Sequence, residues 1–364
     1  MKNILCHCEG RSSPWQSPLR FFILVILVSI LISGCNVFGA KPTPVVAGLT
    51  EATSGFANEA PTPTLEPFRF DLPTPGVPPV SGWRPPLSPV PWAISPSDHF
   101  YFTRPIAADQ VNWPLADYRY GAIFTPPYIH TGVDIDASQG TPILAAGPGT
   151  VVWADWGVLL ESPGDHSDPY GQAVVIRMDF GYKDQQLFTV YAHMSKIIAI
   201  VGQHVNTGDV IGLVGSTGHT TGPHVHFEVR LGNNSFYYTY NPELWMAPPE
   251  GWGVLVGRVA DANDDTLQQL EVSVQNVSTG KILVVKTYGP GPVNHDPVYN
   301  ENLVLGDLPA GLYKISFSYN RKIQQNWMNI YPGQITYFAF RGALGFNLAP
   351  PPTPKVTGLP TQSP

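Results

Sequence analysis

The chain is poor in cysteine and in charge. Its 364 residues include 3 cysteines, Cys6, Cys8 and Cys35, so none follows residue 35. That excludes an internal disulfide framework and a thiolate metal cluster over the rest of the chain. Asp, Glu, Lys and Arg make up 13% of residues, about half the usual share of roughly a quarter. The formal charge is −7, with no block of Lys or Arg. Such a chain lacks the cations that neutralise phosphates, so nucleic acid is excluded as a main partner. Membrane-length apolar runs are also missing. Residues 21–32 (FFILVILVSILI) would rise about 18 Å as a helix, short of a hydrocarbon core of about 30 Å. No useful helical period appears, and no repeat of 20–50 residues. What the chain does hold is 39 prolines, 35 glycines and 12% aromatics. That composition fits linkers joining strand-rich modules, and the aromatics argue against a disordered polyelectrolyte.

Lys2, Arg11 and Arg20 make a basic region around that apolar run. Its length suits a cleaved signal peptide. The sequence Leu31-Ile32-Ser33-Gly34-Cys35 then resembles the bacterial lipobox, with Ile32 where Leu is commoner. The resemblance implies that residues 1–34 are a lipoprotein signal peptide and that Cys35 carries the lipid. The product is an extracytoplasmic lipoprotein anchored to a membrane of the cell envelope; two or three acyl chains hold stably at about 0.8 kcal/mol per buried CH₂. Residues 35–96 read as a stalk, with 14 prolines between 41 and 96. Polyproline II rises about 3.1 Å per residue, giving a reach on the order of 150 Å. Residues 347–364 read as a Pro-rich disordered tail.

Two blocks of short strands lie between stalk and tail, residues 97–248 and 252–346. Strand candidates in the first include 141–146, 150–155, 173–178, 187–192, 210–214 and 224–230. In the second they are 254–259, 270–276, 282–287, 311–319 and 336–341. Both blocks are all-β on this reading.

Four histidines stand where metal chemistry wants them. His130 opens His-Thr-Gly-Val-Asp, which ends at Asp134; His193 sits in TVYAHM; His224 and His226 form HVH. Residues i and i+2 of a strand share a face, so His224 and His226 project together, with Glu228 next along. Val225, Phe227 and Val229 take the other, apolar face. His130 and Asp134 can fold onto a common metal across a Gly-containing turn. Three protein ligands and a water is the catalytic zinc pattern.

Residues 130–230 resemble the lysostaphin-type zinc endopeptidases, the LytM or M23 peptidase family. The matching stretches are HTGVDIDASQGTPILAAGPGTVVWADW, YGQAVVIRMD, TVYAHMSK and VGQHVNTGDVIGLVGSTGHTTGPHVHFEVR. The resemblance implies an antiparallel β-sheet groove, of the duplicated hybrid motif type, with Zn²⁺ held by His130, Asp134 and His226. It implies catalytic roles for His193 and His224, and hydrolysis of peptide bonds in peptidoglycan stems or cross-links by zinc-activated water. Gln172 departs from the family's usual Asn, and residues 160–170 are an insert expected to line the groove. His99, His166, His204, His219 and His295 read as solvent-exposed loop residues, and Asp136 as a turn-former.

The second block resembles carboxypeptidase-regulatory-like β-sandwiches in LPAGLYKISFS and in its GQ-initiated last strand. That resemblance implies an accessory fold, not a reaction. Trp327, Tyr331, Tyr337 and Phe340 could form a glycan-binding strip, but core packing is the favoured reading. Two rival functions are a catalytically silent envelope lipoprotein that binds wall or activates an amidase, and a cytoplasmic sugar-phosphotransferase carrier. The complete histidine set opposes the first, and the export leader the second.

Overall fold

The computed structural model describes Val90 and residues 98–106, 114–125, 128–289, 291–348 and 361–362. The leader, Cys35, the stalk apart from Val90 and most of the tail lie outside the described residues. Within the described residues the regular elements are strands and single 3₁₀ turns, and no helix is long and apolar enough to cross a membrane. The fold is all-β.

In the first block, alternation draws β1 (Val133–Asp136), β2 (Pro142–Leu144), β3 (Gly149–Asp155), β4 (Gln172–Tyr182), β5 (Gln185–Ile197), β6 (Val210–Val214) and β7 (His224–Leu231) into one antiparallel sheet. The strand that carries the HVH pair, β7, lies between β1 and β5, paired antiparallel to both. Its Val225, Phe227 and Val229 point into the core beside Val174, Ile176 and Tyr191. Each such side chain contributes about 1.5–3 kcal/mol by leaving water. The opposite face of β7 is thereby forced to carry the polar residues. A short strand, β8 (Thr239–Tyr240), extends this sheet beyond β7.

The second block is a sandwich. Its strands are β9 (Trp252–Ala260), β10 (Glu271–Asn276), β11 (Ile282–Lys286), β12 (Val293–Asn294), β13 (Leu303–Pro309), β14 (Gly311–Tyr319), β15 (Lys322–Ile330) and β16 (Ile335–Arg341). One sheet runs β13-β9-β16 and continues into Phe346–Asn347; the other runs β11-β10-β14-β15. Leu255, Val274, Leu305, Phe317 and Phe338 fill the space between them. Three of these strands, β12, β13 and β15, have no counterpart among the sequence candidates. The sandwich also reaches outward. Val254, Val256, Val304 and Ile335 belong to the same core as β7, and β12 pairs in parallel with β8.

The aromatic quartet divides. Phe340 is buried and Tyr337 half-buried, whereas Trp327 and Tyr331 are 46% and 54% exposed. Core packing is therefore the wrong reading for the last two. Trp327 sits on the outer face of the edge strand β15, and Tyr331 in the turn after it.

His99 also departs from its expected exposure: it is wholly buried. Its Nε2 lies 3.1 Å from Asp296 Oδ2, and its ring packs edge-on against Trp245 at 4.5 Å. Burial pushes the Asp296 carboxyl up, but the His99 charge and backbone N–H donors hold it below the ordinary range. Glu301 lies in the same cluster, accepting from Tyr288 Oη–H at 2.5 Å and from the Asp296 N–H at 2.9 Å. Burial, then the Asp296 charge, pushes Glu301 up from 4.5 to about 8. The folded chain therefore keeps a proton there that the unfolded chain has released. Stability from this group is full below pH ~4.5 and is lost as pH rises through about 8. Glu301→Gln is expected to melt a few degrees above wild type at pH 8.5, with little gain at pH 5. An equal change at both pH values, read by thermal unfolding, would refute the assignment.

Candidate metal centre

Strand register sets the site. His226 on β7 lies directly opposite Asp134 on β1, and opposite Ala192 on β5. His130 comes from the turn before β1, four residues ahead of Asp134. Gly132 lets that turn approach β7, since a Cβ there would sit 2.8 Å from His226 Nε2. Three donor atoms converge. His130 Nε2 is 2.9 Å from Asp134 Oδ1 and 3.0 Å from His226 Nδ1, and His226 Nδ1 is 2.9 Å from Asp134 Oδ1. All three residues are buried.

The other ring nitrogens decide what those donors present. His130 Nδ1 is 3.0 Å from the Arg119 carbonyl oxygen, which can only accept, so Nδ1 carries hydrogen and Nε2 offers a lone pair. His226 Nε2–H donates to Glu228 Oε1 at 3.1 Å, leaving Nδ1 as a lone pair as well. Glu228 also accepts from Thr131 at 2.5 Å, Tyr170 at 2.6 Å and Arg230 Nε at 2.7 Å. Burial alone would raise Glu228, but the Arg230 charge and the His226 and Thr131 hydrogen bonds outweigh it, holding it at about 2. Burial would likewise raise Asp134, and the surrounding imidazoles hold it well below the carboxylate range.

Two imidazole lone pairs and a carboxylate oxygen, all within about 3 Å, repel one another unless a cation lies among them. Without a metal the cluster takes up a proton instead. Burial disfavours charge on His226, but Asp134 and Glu228 push its pKa up to about 9. A tetrahedral ion with ligands at 2.0–2.1 Å has edges of about 3.3 Å, a few tenths wider than this triangle. The three residues are the group among the described residues that can hold a metal ion, and their N,N,O set suits zinc.

The remaining two histidines stand beside the triangle. His224 donates from Nδ1 to the Gly222 carbonyl at 2.8 Å, and its Nε2 lies 3.4 Å from Asp134 Oδ1. His193 donates from Nδ1 to the Thr217 carbonyl at 2.8 Å, with its ring 4.7 Å from that of His224. Burial, then the neighbouring imidazoles His226 and His224, pushes His193 down to about 3, so it is neutral near pH 7. Its backbone is left-handed, φ +61°, beside an irregularity in the β5 pairing. Non-glycine residues held there are strained by roughly 1 kcal/mol or more, and such strain clusters at functional sites.

All five residues singled out in the sequence thus fall in one cluster. Asp136 lies exposed at the end of β1, and His219 is exposed, tied by its N–H to the Pro169 carbonyl. The insert does more than line a groove, because its last residue, Tyr170, runs beneath the site to Glu228 and takes the His193 N–H on its carbonyl. Sequence reasoning placed Glu228 on the metal face without giving it this task. It missed Arg119, Thr217 and Gly222 altogether, because a main-chain carbonyl has no residue signature.

Comparison with known proteins covers the same stretch of the chain. The model of peptidase family M23 matches residues 128–237. The DD-carboxypeptidase/endopeptidase Mpg of Neisseria meningitidis serogroup B is 36% identical over 127 residues, 35% of this chain and 26% of that protein. The peptidoglycan DD-endopeptidase ShyA of Vibrio cholerae is 39% identical over 101 residues, 28% of this chain and 20% of that protein. The catalytic domain of the antimicrobial peptidase lysostaphin from Staphylococcus simulans is 30% identical, with a TM-score of 0.30, covering 34% of this chain and 86% of that domain. This chain spans about a quarter of the length of the curated relatives it matches. Within those bounds the match and the histidine–aspartate centre coincide: residues 128–237 are a peptidase family M23 domain.

Proposed function

We propose that the protein is a zinc endopeptidase that hydrolyses peptide bonds in peptidoglycan stems or cross-links during cell-wall remodelling. The observation that carries this reading is the buried triangle of His130 Nε2, Asp134 Oδ1 and His226 Nδ1, with each imidazole oriented by a hydrogen bond from its other nitrogen. Zinc bound there supplies Lewis-acid polarisation of the scissile carbonyl and lowers the pKa of water. His193 is neutral, with Nδ1–H fixed on Thr217 and a bare Nε2, so it can take a proton from the attacking water and pass it to the leaving amine. His224 is oriented the same way by Gly222 and stands across from His193; with a second hydrogen on Nε2 it can donate to the carbonyl oxygen. The buried walls keep bulk water from screening these contacts.

In this proposal Cys35 carries the lipid and residues 35–96 are the stalk that lets a tethered catalyst reach the wall. Residues 97–248 are the peptidase domain, 252–346 the accessory sandwich and 347–364 the tail. The test is mass spectrometry of muropeptides released from purified wall by the protein, with zinc and with a chelator. Chelator-sensitive cleavage of a peptide bond is expected. Absence of products from several wall types would move the assignment to a silent activator of other hydrolases.

A further inference from the structure

The His130 imidazole is aimed by a turn that its own domain holds through the Tyr120 hydroxyl, which donates to the Thr239 carbonyl at 2.6 Å, and through the Arg119–Glu243 pair. The Arg119 carbonyl takes the His130 Nδ1–H at 3.0 Å and the Ala122 N–H at 3.2 Å. The His130 carbonyl takes the Gly121 N–H, and the His130 N–H goes to the Ala122 carbonyl, both at 2.8 Å. Residues 119–122 and His130 are therefore one rigid hydrogen-bonded unit.

The second module holds that unit as well. Gly121 has φ +78°, and the Tyr288 side chain occupies the space where a Cβ would stand. Gln269 Nε2 donates to the Gly121 carbonyl at 2.9 Å. The Tyr120 ring meets the Tyr288 ring edge-on at 5.2 Å, and its hydroxyl accepts the Asn294 N–H at 2.7 Å. On the other side the Arg119 guanidinium pairs with Glu243, whose Oε1 also takes the Gly306 N–H at 3.0 Å. Tyr288, Gln269, Asn294 and Gly306 all belong to the sandwich.

We infer that Tyr288 and Gln269 are positioning residues for the metal centre, through the turn that holds His130. The sandwich fixes a ligand of the site as well as forming a separate fold. This rests on the zinc reading above and adds to it the residues that set ligand orientation. Losing an outer-shell partner of a metal ligand typically weakens metal affinity about 10–100-fold.

The test is zinc affinity of the full protein, by competition against a chromophoric chelator. Tyr288→Ala is expected to bind zinc about tenfold more weakly, Gln269→Ala a few-fold more weakly, and Tyr288→Phe, which keeps the ring, close to wild type. Val274→Ala is the control for general loosening, since Val274 is buried between the two sheets of the sandwich. It is expected to lower the melting temperature and leave zinc affinity unchanged. In the metal-free protein, ¹⁵N NMR should show the His130 Nδ1–H protected from exchange in wild type and Val274→Ala, and unprotected in Tyr288→Ala. Should Tyr288→Ala not fold, the Gln269→Ala affinity decides. Equal weakening in Val274→Ala, or wild-type affinity in folded Tyr288→Ala and Gln269→Ala, would overturn the inference. A wild-type protein that takes up no zinc would instead overturn the metal reading beneath it.

Discussion

Asp134→Ala is expected to yield a folded protein that takes up essentially no zinc and cleaves no wall peptide. Asp134 Oδ1 is the atom shared by His130, His226 and His224, at 2.9, 2.9 and 3.4 Å. Its loss removes the one anionic ligand and leaves two imidazole lone pairs, too few to hold the ion. A bound metal contributes several kcal/mol to charge stabilisation in such reactions, so activity should fall by about 10³-fold or more. Zinc per chain, measured by atomic emission after dialysis, checks the first half. The fold should survive, because the core face of β7 is untouched. Retained zinc and retained cleavage together would remove Asp134 from the site. Metal uptake also has a pH signature. His226 holds a proton until about pH 9 without metal, so zinc must displace it and affinity should weaken as pH falls.

His193→Ala is the complementary result: zinc near one per chain, and turnover lower by about 10²–10⁴-fold. His193 makes no contact in the donor triangle; its Nδ1–H goes to Thr217 and its ring lies 5.6 Å from His226. Removing a group that acts only on protons should lower kcat and leave KM nearly unchanged. The replacement also meets a left-handed backbone, but histidine and alanine both carry a Cβ, so that strain is common to both. Loss of zinc from this variant, measured beside Asp134→Ala, would make His193 a ligand and not a proton carrier.

The parts of the fold that were legible in the sequence share a physical cause. HVHFEV alternates without exception, because one face of β7 meets core and the other meets the site. Gly311–Tyr319 alternates because one face meets the sandwich core and the other lies half-buried to exposed on the outside of the sheet. The strand β15, KIQQNWMNI, hides because it is an edge whose buried residues come only at Met328 and Ile330. The strand β13, LVLGDLP, hides for the opposite reason: it is buried along nearly all its length, and Asp307 within it has φ +55°. His99 looked like a surface residue because its partner Asp296 is almost two hundred positions away, and pattern reading sees only neighbours. In the site, side chains with their own chemistry stood out, while Arg119 and Gly222 act through main-chain oxygen that any residue carries.

Because β12 adds to the peptidase sheet and Val254, Val256, Val304 and Ile335 enter its core, the two blocks cannot be exchanged like beads on a string. A cassette joined by a loose linker can be swapped between proteins without harm to either partner. Here a swap would expose apolar surface on both sides and unpair a strand edge. An insertion or deletion near residues 248–252 shifts every one of those contacts at once. Divergence in the sandwich is therefore constrained by the family M23 domain it leans on, and the two should change together through descent.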